Sequence, residues 1–164
     1  MSQLTAMQID LQNALECELK GVPSAEEMLK WASCVLNNAA VSVEENAEMT
    51  IRLVHEAEIT ELNQHYRQKQ GSTNVLSFPA DIPDDIPLAL LGDVIICAEV
   101  VEEEARVQNK SLESHWAHMV VHGTLHLLGY DHIDEQDAKV MEAKEIEILS
   151  NFGYPDPYKP HGEK

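Results

Sequence analysis

The chain is short of positive charge, of paired cysteines and of long apolar runs. Its 164 residues carry 29 Asp and Glu against 11 Lys and Arg, a formal net charge of −18. Such a balance favours solubility and repels polyanions at long range, so bulk attraction to nucleic acid is excluded and any contact with RNA must come from a local basic site. Cys17, Cys34 and Cys97 are odd in number and widely spaced, with no Cys-x-x-Cys pair, and read as reduced structural thiols. The longest apolar stretches, such as 86-IPLALLGDVII-96, are broken well short of a membrane span. The N-terminus, 1-MSQLTAMQIDLQ-12, has no basic region followed by an apolar one and so does not read as a signal peptide. A cytoplasmic protein with no membrane partner is expected.

What is present is an ordinary globular composition, 44% hydrophobic, with enough length for one domain and a real core. Met7, Ile9 and Leu11 alternate with polar residues, which predicts a half-buried strand. Ser24-x-x-Glu27 is a capping box, and Met28, Trp31, Ala32, Val35, Leu36 and Ala39 form one apolar helical stripe behind it. Met49, Ile51 and Leu53 give a second strand, and Ile59, Leu62 and Tyr66 a second helix. Residues 74–78 predict a short strand, and 80–87 a Pro-rich acidic loop. The apolar, β-branched segment 91–97 reads as a central strand. Helices are expected over 98–109, over 112–128 (capped by Ser111, ended by Gly129) and over 134–152, with Ala138, Met141, Ile148, Leu149 and Phe152 inward. The order β-α-β-α-β-β-α-α-α implies an α/β layer protein of the α+β type, with a mixed sheet of about four strands and five to six helices. Residues 1–152 are expected to form a single domain, and the Pro/Gly-rich tail 153–164 to be loose.

Histidine is concentrated in one place. Five of the eight, His115, His118, His122, His126 and His132, fall between positions 115 and 132. His122 and His126, four apart on a helix, stack on one face and can reach one ion. Gly129 then permits a left-handed turn that brings His132 back to the same point. The string His-x-x-x-His-x-x-Gly-x-x-His has the spacing of the metzincin zinc motif at every ligand. Three neutral imidazoles with an open fourth position define a catalytic zinc site, placed here at the end of a central helix; nickel, cobalt or iron(II) also suit such ligands. His115 and His118 lie one and two turns back, which predicts supporting or packing roles rather than ligation. Asp131 or Asp134 is the expected orienting partner for a ligand imidazole. Position 123 is glycine, where a zinc protease carries its glutamate general base.

These residues identify a resemblance. The segments 122-HGTLHLLGYDH-132, 66-YRQKQGSTNVLSFP-79 and 91-LGDVIICAEVVEEEA-105, with the GYPDPY tail, resemble the bacterial YbeY family of single-strand-specific endoribonucleases, and the likeness runs over nearly the whole chain. The resemblance implies a metal-dependent hydrolase of ribosomal RNA, active in 16S 3′-end maturation and ribosome quality control. It implies metal ligands at His122, His126 and His132, and a functional arginine at Arg67. The partners implied are single-stranded RNA, the small ribosomal subunit and its assembly factors, and not DNA. The residues by themselves allow Arg67 a related role, since a guanidinium offers two parallel donors to a phosphate; they equally allow a solvated helix end. Lys69, Ser72 and Asn74 beside it are candidate substrate contacts. The nucleophile is either a water activated by the ion or the RNA's own 2′-hydroxyl. A metallopeptidase-like hydrolase and a non-catalytic, metal-clamped ribosome assembly factor are the competing readings.

Overall fold

The computed structural model describes residues 6–15, 21–38, 43–67, 73–80, 88–130 and 134–158. The elements follow in the expected order: β1 (Ala6–Asn13), α1 (Ala25–Asn38), β2 (Val43–Val54), α2 (Glu56–Arg67), β3 (Val75–Pro79), β4 (Leu88–Cys97), α3 (Ala98–Val107), α4 (Leu112–Leu127) and α5 (Glu135–Ser150). The four strands form one mixed sheet in the order β1-β2-β4-β3. β1 and β4 run parallel to β2, and β3 runs antiparallel to β4.

Helix starts are set by the side chains the sequence supplies. Ser24 Oγ accepts from the Glu27 amide, while Glu27 Oε1 accepts from the Ser24 amide, both at 3.1 Å, so two orphan donors of α1 are satisfied reciprocally. Ser111 caps α4 through the Ser114 amide at 3.1 Å, and Asp134 caps α5 through the Asp137 amide at 2.8 Å.

β4 is an interior strand and is apolar on both faces. Val94 and Ile96 enter the main core with Met49, Ile51 and Leu53 of β2 and the buried faces of α1, α4 and α5. Ile95 and Cys97 point the other way, into a smaller cluster with Val54, Leu76 and Ile59 of α2. Tyr66, expected on the apolar stripe of α2, is instead 61% exposed. Its ring rests edge-on against Phe78 of β3, at 5.4 Å, and β3 is the last strand of the sheet among the described residues. Cys34 and Cys97 are free thiols, whereas Cys17 and Ala39 lie outside the described residues. Among the described residues no helix is long and apolar enough to cross a membrane.

The described part of the tail, 153–158, makes specific contacts, although Gly153, Pro155 and Tyr158 are exposed. α5 ends in a turn in which the Tyr154 amide donates to Leu149 O and the Gly153 amide to Ser150 O, with Gly153 at φ +81°. That turn sends Tyr154 back onto the core, where its hydroxyl donates to Glu113 and its ring meets Trp31 edge-on. Pro and Gly here direct the chain instead of freeing it.

Candidate metal centre

α4 is buried along most of its length, with Trp116, Val120, Val121 and Leu125 fully in the core. It lies close on the sheet because of Gly123. A Cβ at this position would come within 2.6 Å of Val94 Cγ1 and 3.3 Å of Ser77 Oγ, and Ser77 Oγ donates to Gly123 O at 3.1 Å. The glycine that replaces the protease glutamate is therefore the contact point between helix and sheet, and a longer side chain there has no room. Gly123→Ala is expected to cost about 1–3 kcal/mol through overpacking, measured by denaturant unfolding; an unchanged midpoint would show that β3 and β4 give way freely.

The neighbouring face of α4 presents a row of imidazoles. Ring centroids are 6.1 Å apart from His115 to His118, 6.0 Å from His118 to His122 and 4.7 Å from His122 to His126. After Leu127 the chain leaves by the turn the sequence predicts. The Gly129 amide donates to His126 O, the Tyr130 amide donates to Leu125 O, and Gly129 sits at φ +101°, a region glycine enters without strain. His132 and Asp131 follow, outside the described residues.

A carboxylate missed by sequence reasoning meets this row. Glu145 of α5 is completely buried, and its Oε2 lies 2.6 Å from His122 Nδ1 and 3.2 Å from His118 Nε2. The tail adds Tyr158, whose hydroxyl donates to Glu145 Oε1. Of the two aspartates expected to orient a ligand imidazole, Asp134 caps α5 and Asp131 lies outside the described residues, while the His122 imidazole is met by Glu145. A signal for it exists in the sequence: Met141, Glu145, Ile148 and Leu149 share one helical stripe, and a charge inside an apolar stripe demands partners. His118, His122 and Glu145 have ligand atoms within 4.8 Å of one another and so could hold a metal ion. The shortest of these contacts is a hydrogen bond: two ligands of one tetrahedral ion at ~2.0–2.1 Å sit about 3.3 Å apart.

The other candidates are less gathered. His115 Nε2 pairs with Glu104 Oε1 at 2.9 Å, and Asn74 Nδ2 reaches both oxygens of the same carboxylate at 3.1 and 3.3 Å, tying the start of β3 to α3. Arg67 is the last residue of α2; Lys69 and Ser72 lie outside the described residues.

The chain's relatives agree with this architecture. Residues 14–153 match the family model described as Endoribonuclease YbeY, and the chain is 52% identical over 153 residues to the Endoribonuclease YbeY of Pseudomonas entomophila, with 93% of each covered. The chain belongs to the endoribonuclease YbeY family. It is also 50% identical over 153 residues to the YbeY endoribonuclease of Pseudomonas putida, again with 93% of each covered. The solution structure of TM1509 from Thermotoga maritima is similar at a TM-score of 0.55 and 27% identity, covering 96% of this chain and 99% of that one.

Electrostatics in this YbeY family member favour a neutral His118 beside a charged Glu145. Burial lowers the His118 pKa from its ordinary value. Burial would by itself raise the Glu145 carboxyl, but the His118 and His122 hydrogen bonds prevail and hold it well below the usual carboxylate range. Both groups bind fewer protons folded than unfolded. Their contribution to stability is therefore present above the unfolded pKa and lost as pH falls through the folded one. Metal-free protein should lose stability on acidification from about pH 6.5, where unfolded His118 titrates, and further below about pH 4.3, where unfolded Glu145 does. Urea unfolding across a pH series checks this; stability that stays flat or rises from pH 7 to 5 contradicts it.

Proposed function

We propose that the chain is a single-strand-specific, metal-dependent endoribonuclease that acts in ribosomal RNA maturation, at the 16S 3′ end, and in ribosome quality control. The observation that carries the metal part is the 2.6 Å contact from His122 Nδ1 to the buried Glu145. With that nitrogen anchored, Nε2 is the atom His122 offers to an ion, the arrangement found behind metal-bound histidines generally. His126, one turn on at 4.7 Å between rings, and His132 after the Gly129 turn complete the donor set. Three imidazoles fit zinc best, with nickel a competent substitute. Such an ion supplies charge stabilisation to a phosphoryl oxygen and lowers the cost of generating a nucleophile.

The remaining work falls to the chain's own groups. Arg67 binds the non-bridging oxygens as negative charge builds on the phosphate. One strand links the end of α2 to the histidine helix: Tyr66 touches Phe78 of β3, and Ser77 of β3 touches Gly123 of α4. Lys69 and Ser72 follow Arg67 as further phosphate contacts, and Asn74 fixes the β3 end of that segment through Glu104. The peptidase alternative meets a steric obstacle, since even a Cβ at position 123 would come within 2.6 Å of Val94 Cγ1. A net charge of −18 gives RNA no bulk attraction, so the small ribosomal subunit or its assembly factors present the strand to the site in the cytoplasm.

The test is cleavage of a defined single-stranded RNA and its duplex by zinc-loaded and chelator-stripped protein, with product termini identified. Cleavage of the single strand alone, abolished by stripping and restored by zinc, is expected; a 2′,3′-cyclic phosphate marks attack by the RNA's own hydroxyl. Peptide hydrolysis without RNA cleavage would overturn the proposal.

A further inference from the structure

Glu145 is a carboxylate buried to 0% exposure in the middle of α5, a placement tolerated only where its oxygens find donors. It finds three. His122 Nδ1 at 2.6 Å and His118 Nε2 at 3.2 Å meet Oε2, and the Tyr158 hydroxyl meets Oε1. Tyr158 also lies edge-on to His118, with ring centroids at 5.5 Å, and its hydroxyl is 3.4 Å from His118 Nε2. A charged carboxylate only accepts, so each contacting nitrogen must bring the proton. His118 then carries its hydrogen on Nε2, which leaves the buried and unpartnered Nδ1 a bare acceptor. His122 carries its hydrogen on Nδ1, the tautomer whose Nε2 lone pair faces away from Glu145.

We infer that Glu145 is a positioning residue that selects this tautomer of His122, and that Tyr158 of the C-terminal tail holds Glu145 in place, so that ion binding at His122 and docking of the tail are coupled. The inference rests on the proposed reading of His122 as a metal ligand. The coupling follows from linkage. If a docked tail raises ion affinity through Glu145, a bound ion must tighten the tail by the same factor. The tail is already guided toward the site by the Gly153 turn and the Tyr154–Glu113 hydrogen bond, which deliver Tyr158 to α5.

The experiment uses the full chain. Zinc is titrated against a competing chelator into wild type, Glu145→Gln, Glu145→Ala, Tyr158→Phe and His126→Ala. Affinity is expected to fall about tenfold in Glu145→Gln and toward a hundredfold in Glu145→Ala, the range for loss of a group behind a metal ligand; Tyr158→Phe should fall several-fold. Nitrogen-detected histidine spectra of metal-free protein should show His122 as the Nδ1–H form in wild type and a tautomer mixture in Glu145→Gln, a change that a merely structural glutamate would not cause. Amide exchange across residues 154–158 should slow on zinc loading in wild type and not in Glu145→Gln. Should Glu145→Ala not fold, the isosteric Gln and Phe variants still decide. Zinc affinity within twofold of wild type in both, with affinity lost in His126→Ala, overturns the positioning role while leaving the metal site intact. Zinc affinity unchanged in His126→Ala overturns the metal reading itself.

Discussion

Replacing His126 by alanine is expected to strip most of the metal from purified protein and to slow single-strand RNA cleavage by at least about a hundredfold. The reasoning starts from the helix. His122 and His126 sit one turn apart with rings 4.7 Å from centroid to centroid, and α4 is locked in place by its buried residues and by Gly123 against Val94. Neither imidazole can slide to compensate for the other. The proposed site, reduced from three histidines to two, would lose most of its affinity, and losing one preorganised electrostatic group at a reacting oxygen already costs about 10²–10³ in rate. The fold should survive, because His126 is only half-buried and lies off the main core. Metal content by elemental analysis, beside a thermal melt, checks both halves. Equal metal in wild type and variant would place the ion elsewhere, with His118, His122 and Glu145 the first group to test.

How far this site could be read from sequence depended on whether the information was local. Helical spacing is local, so the imidazole row on α4 and the Gly129 turn were legible, as were the capping residues Ser24, Ser111 and Asp134. Element order followed from the same periodicities. Glu145 was not found because its role depends on packing of α5 against α4, 23 residues away from His122 along the chain. Its position on the Met141–Leu149 stripe was a usable clue, since a carboxylate among inward residues must be neutralised or hydrogen-bonded. Gly123 was legible as a missing base but not as a packing contact, because Val94 and Ser77 come from β4 and β3, distant along the chain. Tyr158 and Tyr154 were hidden by tail composition: Pro and Gly exclude regular structure, but they do not prevent two tyrosines from docking. Pairing order in the sheet, with β4 between β2 and β3, is likewise a long-range property that no single segment encodes.

Arg67→Ala should lower the rate of RNA cleavage by about 10²–10³ while leaving zinc content unchanged, which would separate the proposed phosphate-binding group from the proposed metal ligands. A cleaving phosphodiester spreads negative charge over its non-bridging oxygens, and a planar guanidinium meets two of them in parallel. This chain has little else to offer, with 11 basic residues against 29 acidic ones, so one arginine bears a larger share than it would in a basic nuclease. Lysine is a poor substitute at a site that needs a fork of donors, and Arg67→Lys should recover only part of the loss. The defect should fall mainly on the turnover step under saturating RNA, because charge on the phosphate is greatest in the transition state. Stability should change little, since Arg67 ends α2 and the buried residues of that helix, Ile59 and Asn63, both precede it. The same variant decides between catalysis and the assembly-factor alternative. A protein that acts only as a metal-clamped scaffold has no use for a guanidinium at the end of α2, so it would support ribosomal RNA maturation as well with alanine at position 67 as with arginine. An Arg67→Ala protein that cleaves RNA at the wild-type rate would remove this residue from the mechanism and leave the phosphate charge to the metal alone.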